Sequence, residues 1–184
     1  MDLSPVRREV LEALLLYEEP VKAAQVASGV GKEQKVVQMH LIGLVKMGDA
    51  SSPQKGYYII SENGKRALGL PQVSRESAIL ILAPQSLENA FHFYSDIGKP
   101  LDVKAKDLSE FCDKIQTVNV DAVNFHFHRG DFEAWFKHLG DAELAKKIEL
   151  LKKENVSKEE VPRRIHEIVD DRCKSLAKLV ASPA

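Results

Sequence analysis

Along the first seventy positions the apolar residues recur at helical spacing in separate runs, and each run is closed by a helix-breaking residue. Val6, Val10, Leu11, Leu14 and Leu15 form one face of a first helix. It opens at Ser4-Pro5, a capping hydroxyl followed by proline at the first helical position, and Glu19-Pro20 breaks it. Val21 to Ala27 predicts a short second helix, and Ser28-Gly29-Val30-Gly31 a tight glycine-rich turn. A third helix is expected from about Lys32 to Met47, with Val37, Leu41 and Leu44 at i, i+4 and i+7 and Gly48 as its left-handed cap. Two helices joined by a glycine turn make a helix-turn-helix pattern. The period then changes. Ala50-Ser51, a turn over Ser52-Pro53-Gln54-Lys55-Gly56 and the β-rich Tyr57-Tyr58-Ile59-Ile60 predict a hairpin, after which Ser61 caps a renewed helical stretch to Leu68.

Beyond Leu70 the pattern is different. Residues 71–77 read as a linker between a domain over 1–70 and a second over 78–184. Ala78-Ile79-Leu80-Ile81-Leu82 is too uniform to decide between strand and helix. Phe91-His92-Phe93-Tyr94 and Val123-Asn124-Phe125-His126-Phe127-His128 alternate by twos and read as two strands sharing an aromatic core. Leu108, Phe111, Cys112 and Ile115 mark a short amphipathic helix between them. Asp131 or a neighbour caps a helix carrying Phe132, Trp135, Phe136 and Leu139, Gly140 stops it, and Asp141 caps the next, with Leu144, Ala145, Ile148 and Leu151. Ser157 to Glu160 has capping-box spacing ahead of a last helix striped by Val161, Ile165, Ile168, Val169, Leu176 and Val180, with Pro162 shifting its start. The expected class is α+β, predominantly α: a winged helix-turn-helix domain, then a smaller-sheet α+β domain with a helical C-terminus.

Two stretches carry resemblances. Val21 to Leu68, with the phrase Tyr58-Ile59-Ile60-Ser61-Glu62-Asn63-Gly64-Lys65-Arg66, resembles winged-helix regulators of archaea and bacteria. That resemblance implies that the third helix enters the major groove of DNA. Gln34, Lys35, Gln38, Met39 and Ile42 would then face base edges. Lys32, Lys55, Lys65 and Arg66 would meet phosphates, with Lys55 at the wing tip. Phe125-His126-Phe127-His128-Arg129-Gly130-Asp131-Phe132-Glu133-Ala134-Trp135, followed by Leu139-Gly140-Asp141-Ala142-Glu143-Leu144-Ala145, resembles a family of prokaryotic domains, well represented in archaea, to which no chemistry is assigned. This second likeness runs from Phe91 to Leu179 and implies a fold module without catalytic residues.

Composition narrows the reading without redirecting it. The chain of 184 residues is 44% hydrophobic and 29% charged with net charge −1, an ordinary globular profile. It holds no apolar run of the ~20 residues a membrane span needs and no signal-peptide layout, so a cytoplasmic protein is expected. Nine basic and eight acidic residues precede Leu70, and seventeen and nineteen follow it, which weakens the idea of a nonspecific, histone-like coater of DNA. Within Lys22–Arg66, however, seven basic residues face three acidic ones. Cys112 and Cys173 form no CxxC pair and read as reduced, partly buried thiols.

The most tempting chemistry is His126 and His128, which a strand would place on one face, with Asp131, His138 and His92 as further ligands for zinc. The spacing matches no recognised ligand pattern. Arg129-Gly130-Asp131 reads as an accidental tripeptide. No nucleophile elbow, phosphate loop or dinucleotide fingerprint occurs, so neither an enzyme nor a cofactor is expected. The expected function is a regulator binding double-stranded DNA, whose second domain dimerises, senses something or recruits a partner; a homodimer would double the contacts of a modestly charged reading head. Two alternatives stand beside it. One is a winged helix used for protein contacts in a larger nucleic-acid-processing assembly. The other is a metal-dependent enzyme built on His126 and His128.

Overall fold

Leucine and valine at helical spacing decide the first unit. Helix α1 (Pro5–Leu15) follows Ser4 with proline in its first turn and buries Val10, Leu11, Leu14 and Leu15. A two-residue strand β1 (Val21–Lys22) leads into α2 (Ala23–Val30) and α3 (Gln34–Met47). Gly31 and Gly48 end these two helices in the left-handed conformation, at φ 61° and 80°. Then come β2 (Ala50–Ser51), β3 (Tyr57–Ile60) and α4 (Glu62–Ala67). The strands form one antiparallel sheet in the order β1-β3-β2, with Val21 opposite Tyr58 and Ala50 opposite Ile60. Helices α1, α2 and α3 pack on one another around Leu11, Leu14, Val26, Val37, Leu41 and Leu44, all fully buried. Each such side chain contributes about 1.5–3 kcal/mol relative to exposure.

The turn from β3 into α4 clasps the end of α3. Ser61 donates its backbone N–H to the Asp49 carbonyl (3.0 Å) and its hydroxyl to the Gly48 carbonyl (2.6 Å), while its Oγ accepts from Gly64 N (3.1 Å). At Gly64 the approach is so close that a Cβ would stand 2.1 Å from the Asp49 carbonyl oxygen, so only glycine fits.

The structure, a computed structural model, describes residues 3–182; it is α+β, mainly helical with two small antiparallel sheets, and divides into two units after Gln72. The second unit contains α5 (Arg75–Leu82), the hairpin β4 (Phe91–Asp96) and β5 (Lys99–Ala105), then α6 (Leu108–Ile115), α7 (Val120–Arg129), α8 (Asp131–His138), α9 (Ala142–Leu151) and α10 (Val161–Ala181). Its core is aromatic. Phe91 meets Phe93 edge-on at 4.9 Å between ring centroids, Phe111 meets Phe132 at 5.3 Å, and Trp135 donates its indole N–H to the Asn89 carbonyl at 2.9 Å. Helix α10 lays Val161, Ile165, Ile168, Val169 and Leu176 into this core. Among the described residues no helix is long and apolar enough to cross a membrane.

Several expectations are corrected here. Val21 and Lys22 belong to a strand, because β3 pairs with them, and the second helix runs on through Ser28, Gly29 and Val30 to its cap at Gly31. Arg75, Glu76 and Ser77, read as linker, form the first turn of α5, where Ser74 Oγ accepts from Ser77 N; Ala78 to Leu82, left open by sequence, is therefore helical. The largest correction is Val123–His128, which is helical. Ala122, Val123, His126 and Phe127 point inward at i, i+1, i+4 and i+5, a helical repeat that the apparent alternation of Val123, Phe125 and Phe127 concealed. Asn119 caps this helix through Asp121 N, and Gly130 ends it at φ 83°. Gly130, the neighbour of Asp131, stands at the N-cap of α8, within the expected choice of Asp131 or a neighbour. Ser157 donates to the Glu160 carboxylate (3.1 Å) in a turn that precedes α10, so the capping-box residues bond to each other outside the helix.

Candidate nucleic-acid interface

Helix α3 is fourteen residues long and holds no carboxylate. With 3.6 residues per turn, burial of Val37, Leu41 and Leu44 turns Lys35, Gln38, Met39, Ile42 and Lys46 outward on one stripe, at i, i+3, i+4, i+7 and i+11. All five are exposed, including the two apolar ones, Met39 at 62% and Ile42 at 44%. Gln34 opens the helix and is also exposed. Along the edge of the stripe Arg7 of α1 extends its guanidinium past Gly43 and donates to Met47 Sδ at 3.3 Å, adding a cation. The hairpin that follows presents Lys55 in its exposed connection, where Gly56 adopts φ 81°, and Lys22 lies over the Tyr57 ring at its base, 5.5 Å from the centroid.

The sequence-expected residues therefore divide. Lys35, Gln38 and Met39 share the outward stripe, Gln34 opens the same helix, and Lys55 stands at the hairpin tip. Lys32, Lys65 and Arg66 are engaged locally: Lys32 with Glu9 (3.1 Å), Lys65 with Glu62 (3.3 Å) and Arg66 with the Asn63 side-chain oxygen. Such half-exposed pairs are worth at most about 1 kcal/mol and can exchange for a phosphate. Lys46 and Arg7 were missed. Lys46 was recoverable, being eleven residues, three turns, past Lys35; Arg7 reaches α3 only through the tertiary fold.

The conspicuous residues of the second unit are placed quite differently. His126 is buried on α7; its Nε2 accepts the Tyr94 backbone N–H (2.8 Å), so the ring proton sits on Nδ1 and is donated to Asp131 (2.7 Å). Both nitrogens are occupied in tying α7, β4 and α8 together, and neither is available to a metal or a substrate. Arg129 also reaches Asp131, at 3.2 Å. His128 is exposed, two residues along a helix and so on the opposite side, which removes the shared face that a metal site required. No group of three or more His, Cys, Asp or Glu among the described residues is arranged to hold a metal ion.

The second part of that motif serves burial as well. Asp141, Glu143, Lys147 and Arg172 are 0%, 4%, 2% and 3% exposed. Arg172 of α10 places two nitrogens on Asp141 (2.8 and 3.0 Å) and a third on Glu143 (3.0 Å), and Lys147 meets Glu143 at 3.5 Å. Asp141 also caps α9 by accepting from Leu144 N at 2.9 Å. Two acids and two bases thus neutralise one another away from solvent. A cleft of about 530 Å³ lies over α7, lined in part by Phe125, His128, Arg129, Lys152 and Lys158. Its cations are already paired, Lys152 with Glu133, Lys158 with Asp121 and Arg129 with Asp131. Cys112 and Cys173, distant in sequence, are neighbours between α6 and α10; a hydrogen bond between the thiols, chiefly, raises Cys112 and lowers Cys173 relative to an ordinary thiol.

Comparison with known proteins finds no matching family model, no matching curated protein and no matching solved structure.

Proposed function

We propose that the chain binds duplex DNA as a gene regulator, with the first unit acting as a winged helix-turn-helix: α3 in the major groove and the β2–β3 hairpin as the wing. The observation that carries this reading is the exposed, carboxylate-free stripe of α3, bounded by Lys35 and Lys46 and followed directly by a hairpin bearing Lys55. A surface without carboxylates can approach phosphates without like-charge repulsion, and cations at its ends fix register on the backbone. The resemblance of Val21–Leu68 to prokaryotic winged-helix regulators points the same way. On this reading the second unit dimerises, senses an effector or recruits a partner, and pairing two heads compensates for modest charge.

A second reading has a specific observation in its favour. Met39 and Ile42 are apolar and exposed, as on a helix that docks against protein. Purified full-length chain mixed with fragmented genomic DNA at two salt concentrations separates the two. DNA binding predicts enrichment of particular fragments, weaker at higher salt, that is lost in the Lys35→Ala/Gln38→Ala double variant. Absence of enrichment at either salt would leave α3 to protein contact.

A further inference from the structure

The stripe on α3 also has a chemistry of its own, and resting on the DNA reading above we infer that it selects A·T base pairs, with Gln38 on adenine and Met39 and Ile42 against thymine methyl groups. In the major groove each base offers a distinct edge. Guanine presents two acceptors met by arginine or lysine, and cytosine a donor met by a carboxylate. Helix α3 contains no arginine and no acid, and the lysines of its stripe stand only at the two ends. Adenine presents an acceptor beside a donor, which one glutamine amide satisfies in two bonds, and thymine carries the only methyl group on any groove edge. The centre of the stripe is Gln38, Met39 and Ile42, one amide and two apolar ends, all exposed. Lys35 and Lys46 stand at its two ends, about 16 Å apart along the axis at 1.5 Å per residue, which suits the phosphates flanking a groove. Gln34 extends the same amide chemistry to the start of the helix.

The apolar pair is the deciding part of this argument. Met39 and Ile42 are left in water by the unit that carries them, and a row of thymine methyls is the apolar surface a DNA groove can offer them. Burying one methyl is worth about a fourfold change in affinity. An array of two or three should make thymine content measurable.

The test uses full-length protein and a pool of duplexes with a randomised core, followed by resynthesis of the selected duplex with deoxyuridine in place of thymidine, which removes only the methyl groups. The expected result is enrichment of A·T-rich cores and a loss of about fourfold in affinity on the uridine duplex for each methyl buried, about sixteenfold for two. The Met39→Ala/Ile42→Ala variant, altered only at exposed positions, should bind both duplexes alike, with helical content unchanged by circular dichroism. Selection of cores without A·T bias, or equal binding of thymidine and uridine duplexes by the wild type, would overturn the inference while leaving DNA binding intact. Failure to select any duplex would overturn both and favour a protein partner for α3.

Discussion

The two units treat their polar residues in opposite ways. In the second, most of the residues suggestive of chemistry are used up by one another, His128 being exposed: His126 is held at both nitrogens, Asp131 receives His126 and Arg129, and Asp141, Glu143, Lys147 and Arg172 close on each other out of solvent. In the first, an ordinary-looking helix keeps Lys35, Gln38, Met39, Ile42 and Lys46 in water. A dense motif of histidines, acids and arginine can therefore be the requirement of a core, while a helix without a single acid is the better candidate surface. The difference is one of spare bonding capacity. A buried polar group must find partners to be tolerated at all, whereas an exposed stripe retains its capacity for something else.

The largest effect that would break this comparison is expected at Arg172. Arg172→Met strips Asp141 and Glu143 of their guanidinium and leaves buried charge uncompensated, which costs about 3–5 kcal/mol. Urea unfolding followed by the fluorescence of Trp135, the single tryptophan, should show the loss. An effect below 1 kcal/mol would mean that the network is hydrated and open. Next is Gly64→Ala, whose Cβ cannot be accommodated against the Asp49 carbonyl. Overpacking of this kind costs about 1–3 kcal/mol, and circular dichroism melts should register it as a lowered midpoint. His126→Phe leaves the Tyr94 amide without its acceptor and Asp131 with Arg129 alone, and should cost about 1–3 kcal/mol in urea titrations. A chelator is expected to leave the wild-type melting temperature unmoved; a fall would revive the metal reading.

Much of this was legible in the sequence where partners are close along the chain. The i, i+4, i+7 rows of α3 and α6, the serine cap of α4, Asp141 before α9 and the left-handed Gly48 all leave local signals. The lysine–glutamine face of α3 follows from the same arithmetic. What was hidden depends on long-range pairing. Strand β1 is two residues long and exists because β3 lies beside it. His126 meets Tyr94 across 32 residues of chain, and Arg172 meets Asp141 across 31. Neither pairing leaves a local trace. Helix α7 was misread for a different reason: three apolar residues at alternate positions fit a strand, and only its cap at Asn119 and stop at Gly130 discriminate.

The smallest effect concerns the thiol pair. Because Cys173 is lowered and Cys112 raised, Cys173 forms thiolate at the lower pH, and thiolate is the reactive form. Raising pH in the presence of iodoacetamide should alkylate Cys173 first, as read by peptide mapping. Prior modification of Cys112, the more buried of the two, would contradict the assigned order of the two thiols.

The most direct test of the comparison sets two substitutions side by side in one assay: affinity of the full-length chain for a selected duplex at two salt concentrations, for Lys35→Ala/Gln38→Ala and for His126→Phe. The account predicts that the α3 variant loses selective binding and flattens the salt dependence by about 0.9 in log–log slope for the lysine removed. It predicts that the His126 variant, though less stable, binds as the wild type does wherever it is folded. Retention of selective binding by the α3 variant together with its loss in folded His126→Phe would place the function in the second unit and contradict the account.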